Sequence, residues 1–443
     1  MFNQFIYGNQ STLCILIASL SLLGVTAKKS SWKNSNLFAK VFLIFIYTSF
    51  FGVLLFTKGR AGCLGFIAGF FYFNWQTGAI PKLSKRYSTV LLVLTFLIIA
   101  SLFWLKRDSS LGRLLVYKVS INIFKDNWLC GAGLSNFPVK YNLYQAKYFS
   151  QNNINSKEAL LADNTFYAFN DVWQLVIEIG IIRFLLLLIL LLFIVKAIKL
   201  CTIKVSKTHL FYGASSALLC VVVASLFSYP FHIFSIRLLS LIYLTIILFS
   251  LKAPNNAFGV NKWALTILRA LSLAGIFFLF VYAGIRLSLL TRAKAAFNLS
   301  QAGYKTKALR VYSSLDNCFM KDGAIMFTYA KQLYNINKLQ QAKQVITKAK
   351  KYYTDNEVYK LSASIESELG NLKEAERDFK TAVYMVPNRM RSRYELLQFY
   401  LAKKDTSNAV FWAKSILDMP VKIPSDITSN IKLQTRNMLK NLQ

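Results

Sequence analysis

Long apolar runs alternate with short polar joints over the first two-thirds of the chain, and a charged, helix-periodic pattern replaces them beyond about residue 291. A membrane crossing takes about 20 predominantly apolar residues in a helix. Eight runs meet or approach that length, at 11–27, 37–57, 61–75, 88–105, 172–195, 210–227, 231–251 and 263–290. The stretch from Lys106 to Arg183 breaks the alternation for about sixty residues, then passes uninterrupted into an apolar helix. Backbone without hydrogen-bond partners cannot sit in hydrocarbon, so this segment must fold outside the lipid or line a wet cavity. The expected fold is all-α: a polytopic transmembrane bundle of about eight spans over 1–291, with a long loop at 106–171, then a helical region at 292–443.

That last region has its own period. TKALRVY, QQAKQVI, KEAERDF and SNAVFWA place Ala308, Ala342, Ala375 and Ala409 at intervals of 34, 33 and 34. Pro387 and Pro420 follow the last two alanines by 12 and 11 residues. A small residue at this spacing, with Pro near the end of the unit, matches the tetratricopeptide pattern. Such hairpins stack into a solenoid whose concave face takes an extended partner, so a protein or peptide is expected there. The first unit is degenerate and continues from the last span.

Charge modifies the picture less than its size implies. Against 19 Asp and Glu the chain carries 53 Lys and Arg, a net charge of +34. In a soluble protein that would point to nucleic acid. Here the basic residues collect in short loops: Lys28, Lys29, Lys33 and Lys40; Lys82, Lys85 and Arg86; Lys196, Lys199, Lys204 and Lys207; Lys252 and Lys262. Membrane orientation follows such a bias, so these loops are cytoplasmic, no nucleic-acid partner is expected, and the long loop and both ends lie outside. MFNQFIYGNQST has neither a basic residue nor an export signal, which predicts that further spans precede it in a larger protein. Basic residues of the loop and the C-terminal third remain for membrane lipids or a lipid diphosphate. Six cysteines without a CxxC pair and two histidines give neither a disulfide framework nor a metal centre, and no cofactor is expected. His209 and His232 read as interfacial side chains at span ends.

The candidate chemistry gathers at the end of the long loop. Asn170, Gln174 and Glu178 are four apart and share one helix face, with Asp171 beside them. Such groups at the entrance of a span are costly unless they face protein or water. Asp163 and Asn164 precede them, to cap the following helix or, for the carboxylate, to take a proton from an acceptor hydroxyl. Arg60 lies in TKGRAGCLGF, where Gly59, Ala61, Gly62 and Gly65 let another helix approach closely. Arg113 lies on an amphipathic helical stretch. Each arginine can snorkel at the interface or hold a diphosphate with its planar fork. Gly131 and Gly133 make a tight turn.

These segments resemble the O-antigen ligase and polymerase membrane proteins over roughly residues 1–251. The resemblance is carried by GRAG at 59–62, RLLVYKVSINIFKDNWLCGAGLSNF at 113–137, AFNDVWQLVIEIGI at 168–181 and, more weakly, SYPFHI at 228–233. Members with tetratricopeptide repeats after the last span occur in that family. The resemblance implies a lipopolysaccharide or other surface-polysaccharide assembly enzyme of the bacterial inner membrane, with its C-terminal domain in the periplasm. It would move a glycan from an undecaprenyl-diphosphate carrier to an acceptor hydroxyl without a metal ion. The acceptor would be lipid A-core, a growing polysaccharide or a protein side chain, corresponding to a ligase, a polymerase or a protein O-oligosaccharyltransferase. The family arginines that hold the diphosphate correspond to Arg60 and Arg113, with Asn170 and Gln174 on the acceptor side. One departure stands out: the His that usually precedes the Asn of this motif is Phe169 here, and phenylalanine cannot move a proton. The options are a carboxylate base among Asp171, Asp163 and Glu178, a polymerase-type enzyme relying on its arginines, or an inactive copy. Outside the family, a transporter would show paired interrupted helices, and a membrane-anchored repeat scaffold would work through 308–420 alone.

Overall fold

The computed structural model describes residues 10–28, 59–77, 107–201, 209–251, 260–315 and 322–442. The expected spans at 37–57 and 88–105, and most of the basic loop residues, lie outside the described residues. Among the described residues every regular element is helical. The first helices are α1 (Gln10–Lys28), α2 (Arg60–Gln76), α3 (Arg107–Asn127), α4 (Phe137–Ser150), α5 (Lys157–Leu161) and α6 (Asp171–Cys201). Next come α7 (His209–Ser225), a 3-10 turn at Pro230–His232, α8 (Phe234–Ser250) and α9 (Val260–Gln301). The remainder are α10 (Lys305–Leu315), α11 (Gly323–Tyr334), α12 (Leu339–Lys350), α13 (Asn356–Glu368), α14 (Leu372–Met385), α15 (Met390–Ala402), α16 (Thr406–Leu417) and α17 (Asp426–Leu442). Six of the eight expected apolar runs coincide with helices. Asp171–Phe193 and Trp263–Gln301 are long and apolar enough to cross a membrane; Ser11–Leu23, His209–Ser225 and Phe234–Ser250 are apolar but shorter.

The chain divides into two compact units. One comprises Met1–Lys106, Phe169–Leu175 and Ile182–Ser288; the other comprises Arg107–Ala168, Val176–Ile181 and Leu289–Gln443. The long loop therefore groups with the helical region, not with the apolar helices as its place in the sequence implied. The boundary expected at 291–292 falls inside the continuous helix α9.

In the first unit α1, α2 and α7 pack against one another, and α8 packs on α7. Small residues set the spacing. A Cβ on Gly62 would lie 2.5 Å from Cys14 Sγ, and one on Gly65 would lie 2.4 Å from the Cys220 carbonyl oxygen. Cys14, Ala18, Leu22, Phe66, Ala217, Cys220 and Tyr243 form the core, and the Tyr243 hydroxyl donates to Ser19 Oγ at 3.2 Å. Helices in lipid associate through such close packing and a few polar links, because burial from lipid offers no hydrophobic gain.

In the second unit the alanine period becomes geometry. Ala308, Ala342, Ala375 and Ala409 are fully buried, one each in α10, α12, α14 and α16. α11 pairs with α12, α13 with α14, and α15 with α16; each hairpin packs on the next, and α17 closes the row. The loop is docked onto this row. α4 packs on α14, with Ala146 buried against Met385 and Val386. Asn142, fully buried, donates to the Thr354 carbonyl at 2.6 Å and accepts from the Thr165 N–H at 2.9 Å. Asn388 Nδ2 donates to the carbonyls of Ala159, Leu160 and Ala162 at the end of α5. Phe166 stacks on Tyr353 with ring centroids 5.5 Å apart.

The contact with the most hydrogen bonds is that of Arg393, 1% exposed. Its guanidinium donates to the carbonyls of Pro387, Ile154 and Ser415, to Ser415 Oγ and to Asn155 Oδ1, at 2.8 to 3.1 Å. Burial lowers it to about 10, so it stays charged at neutral pH. Two of those partners, Ile154 and Asn155, belong to the loop, so one side chain fastens loop to repeats.

Candidate functional site

The start of α6 is built by its own residues. Phe169 has φ 55°, a left-handed backbone that is unusual for a bulky side chain. Its ring packs edge-on against Tyr229 at 5.7 Å. Asn170 follows as the cap: its Oδ1 accepts the Trp173 N–H at 2.9 Å, satisfying one of the orphan donors of the first turn. Gln174 is buried, 1% exposed, and Gln174 N–H donates to the Asn170 carbonyl.

Asp171, in that first turn, reaches across to the turn between α7 and α8. Its Oδ2 accepts the Phe231 N–H at 3.0 Å, and its Oδ1 lies 3.4 Å from His232 Nε2. The carboxylate is 8% exposed and the imidazole 32%, so the pair is largely out of water but open at the histidine. Burial pushes the His232 imidazole down to about 4, and the charge of Arg237 adds to the effect. The imidazole is thus neutral at neutral pH. A carboxylate beside an imidazole can hold one tautomer and so prepare the other ring nitrogen to take a proton.

His232, expected as an interfacial side chain, faces a carboxylate sixty-one positions away in the chain. Arg237 was missed altogether. Its Nη2 donates to the His232 carbonyl at 3.2 Å, and its Nε is buried with no partner among the described residues. The signal was present, since an arginine one turn inside the apolar run FSIRLLSLIYL marks a functional position by default.

The expected uninterrupted helix is also corrected. α6 is broken at Gly180, with φ 78° and ψ 166°. A break in an apolar helix strands backbone groups, and the Trp128–Gly133 segment meets them. Ala132 and Gly133 donate to the carbonyls of Ile177 and Glu178, and Ile181 donates to the Trp128 carbonyl, at 2.8 to 2.9 Å. Glu178 completes the interlock: 5% exposed, it accepts the Ser135 N–H at 2.9 Å and the Phe137 N–H at 3.4 Å. Both carboxylate oxygens face loop backbone, so Glu178 anchors the loop to α6.

The other candidates divide between the two units. Asp163 is exposed, pairs with Arg389 at 3.1 Å and accepts the Asn164 N–H, so it belongs to the contact between loop and repeats. Asn164 exchanges two hydrogen bonds with Asn356. Arg60 begins α2 in the first unit and is half-buried. Arg113 lies on α3 in the second unit, half-buried beside the stripe of Leu115, Val116, Val119 and Ile123 that α3 buries.

A family model described as O-antigen ligase matches residues 42–188, a segment that holds Arg60, Arg113, Asn170 and Asp171. That match supports a role in surface polysaccharide assembly. No curated protein matches the chain. Among solved structures, MamA from Desulfovibrio magneticus RS-1 (residue 41 to the end) is similar at 16% identity, over 34% of this chain and 93% of that one, with a TM-score of 0.27. At that score it carries no inference.

Proposed function

We propose that this protein transfers a glycan from an undecaprenyl-diphosphate carrier to an acceptor hydroxyl at the periplasmic face of the bacterial inner membrane. The observation that carries the reading is the Asp171–His232 pair at the entrance of α6, with Asp171 inside the segment matched by the O-antigen ligase model. In this reading the apolar helices are spans of a multi-pass bundle, and the hairpins after α9 are tetratricopeptide repeats on the periplasmic side. The substrate chemistry needs three things: a base for the acceptor, charge stabilisation for the departing diphosphate, and a surface that orients the acceptor.

His232 Nδ1 takes the proton of the acceptor hydroxyl while Asp171 holds the Nε2–H. The acceptor oxygen then bonds to the anomeric carbon as the bond from that carbon to the phosphate oxygen breaks. The electron pair leaves with the undecaprenyl diphosphate, whose growing negative charge Arg60 and Arg113 neutralise. Asn170 and Gln174 shape the acceptor side. Phe169 leaves the usual family position without a base, and His232 fills the need from the neighbouring turn.

Replacing Arg60 or Arg113 by alanine should lower transfer about 100-fold or more, the scale seen when one donor to a developing charge is removed. Long-chain surface glycan in a deletion strain complemented with each variant measures this, alongside the amount of protein in the membrane. Full-length glycan with either arginine gone would refute the clamp.

A further inference from the structure

We infer that the groove between α10 and α12 is a binding site for an acidic oligosaccharide. It is an open groove of about 530 Å3 lined by Arg310 and Ser313 of α10, Tyr329 of α11, and Gln341, Gln344 and Lys348 of α12, with Lys338 at its end. That volume is within the usual range of ligand sites, roughly 300–1,000 Å3.

The charge around it is uncompensated. Residues 292–351 carry twelve Lys and Arg against two Asp and Glu, whereas 352–443 carry fourteen against eleven. No acidic side chain lines the groove. Arg310, Lys338 and Lys348 form no ion pair among the described residues. The contrast runs along a single helix. Lys343 and Lys350, seven apart on α12, pair with Glu366 and Asp378 of the next hairpin, while the groove face of α12 is left without carboxylates. Unneutralised like charges held on a rigid scaffold raise the local concentration of an anion.

The neutral lining selects the kind of anion. The amides of Gln341 and Gln344 and the hydroxyls of Thr306, Ser313 and Tyr329 can donate to and accept from sugar hydroxyls. The apolar members are Leu309 and Leu333, both buried, and the half-buried Val345, too little apolar surface to insert into a bilayer. Sugar rings bearing carboxylates or phosphates meet both requirements. This deepens the proposed function, on which it rests: the glycan handled would be acidic, and α10 with the first hairpin would hold part of it.

The test uses the full chain in detergent. Fluorescently labelled oligogalacturonide and a neutral maltooligosaccharide of equal length are titrated at low and high salt, against native protein and the variant R310Q/K338Q/K348Q. All three side chains are exposed, so the variant is expected to keep its fold, checked by circular dichroism. The expected result is salt-sensitive binding of the acidic probe, weakened at least tenfold in the variant, with the neutral probe at least tenfold weaker throughout. Equal binding of the two probes, or unchanged affinity in the variant, overturns the site. Binding only to phosphatidylglycerol vesicles also overturns it, assigning the charge to lipid headgroups. Glycan transfer is scored in parallel: binding without transfer by native protein would sink the proposed reaction and leave the groove standing.

Discussion

Gly180→Ala is expected to destabilise the protein by more than about 4 kcal/mol, a magnitude reached only through a small set of severe mechanisms. Two act together here. The backbone at Gly180, φ 78° and ψ 166°, is in a region essentially reserved for glycine. An added Cβ would also sit 2.3 Å from the Leu129 carbonyl oxygen and 2.5 Å from the Gly131 nitrogen. Both are backbone atoms and cannot swing aside. The interlock is reciprocal, since a Cβ on Gly131 would meet the Glu178 carbonyl oxygen at 2.3 Å. Relief therefore requires the loop to leave α6, stranding the three backbone hydrogen bonds that bridge the break and the amide contacts of Glu178. Gly112→Ala is the control: nothing lies within 4 Å of its Cβ position, on helix α3. That change should be neutral or stabilise by up to about 1 kcal/mol. Thermal unfolding of the purified variants measures both, and a Gly180→Ala protein that melts like the native one would show that the break is not glycine-dependent.

Arg393→Met should cost about 3–5 kcal/mol, the usual penalty for removing one partner from a buried charged network. The methionine fills the volume but leaves the carbonyls of Ile154, Pro387 and Ser415 without their donors. Lysine cannot replace the fork, because its point charge does not span five acceptors in a fixed plane. By contrast Arg391, two residues away, is exposed and pairs with Glu395 on its own helix, so Arg391→Ala should change stability by less than about 0.5 kcal/mol. Amide hydrogen exchange separates the outcomes. Faster exchange across 154–166 in Arg393→Met, with α7 and α8 unchanged, fits a loop released from the repeats. Protection equal to native would mean that Arg393 does not fasten it.

Much of this architecture was legible in the chain. The alanine period gave the helix hairpins because each alanine sits where two helices touch, a local requirement that recurs identically. The small residues around Arg60 announced close helix contact for the same reason. What could not be read depends on partners far away. Gly180 looks like a tolerated glycine in an apolar run until Trp128–Gly133 comes to rest on it. His232 looks interfacial until Asp171 is placed beside it. Asn142, Asn388 and Arg393 resemble ordinary polar positions, since their partners lie more than two hundred residues away. Arg393 did carry a trace. Met390, Leu396, Leu397 and Tyr400 are the buried stripe of α15, and Arg393 falls on it where an apolar residue belongs.

The proposed transfer depends on the imidazole beside Asp171 moving a proton. Purified protein in lipid nanodiscs, supplied with an undecaprenyl-diphosphate-linked glycan and an acceptor sugar, gives the direct measurement: release of undecaprenyl diphosphate coupled to glycosylated acceptor. The native protein should turn over, and His232→Gln should be slower by about 100- to 10,000-fold, the usual worth of a positioned general base. Unimpaired turnover by His232→Gln, or none by the native chain, would contradict the account.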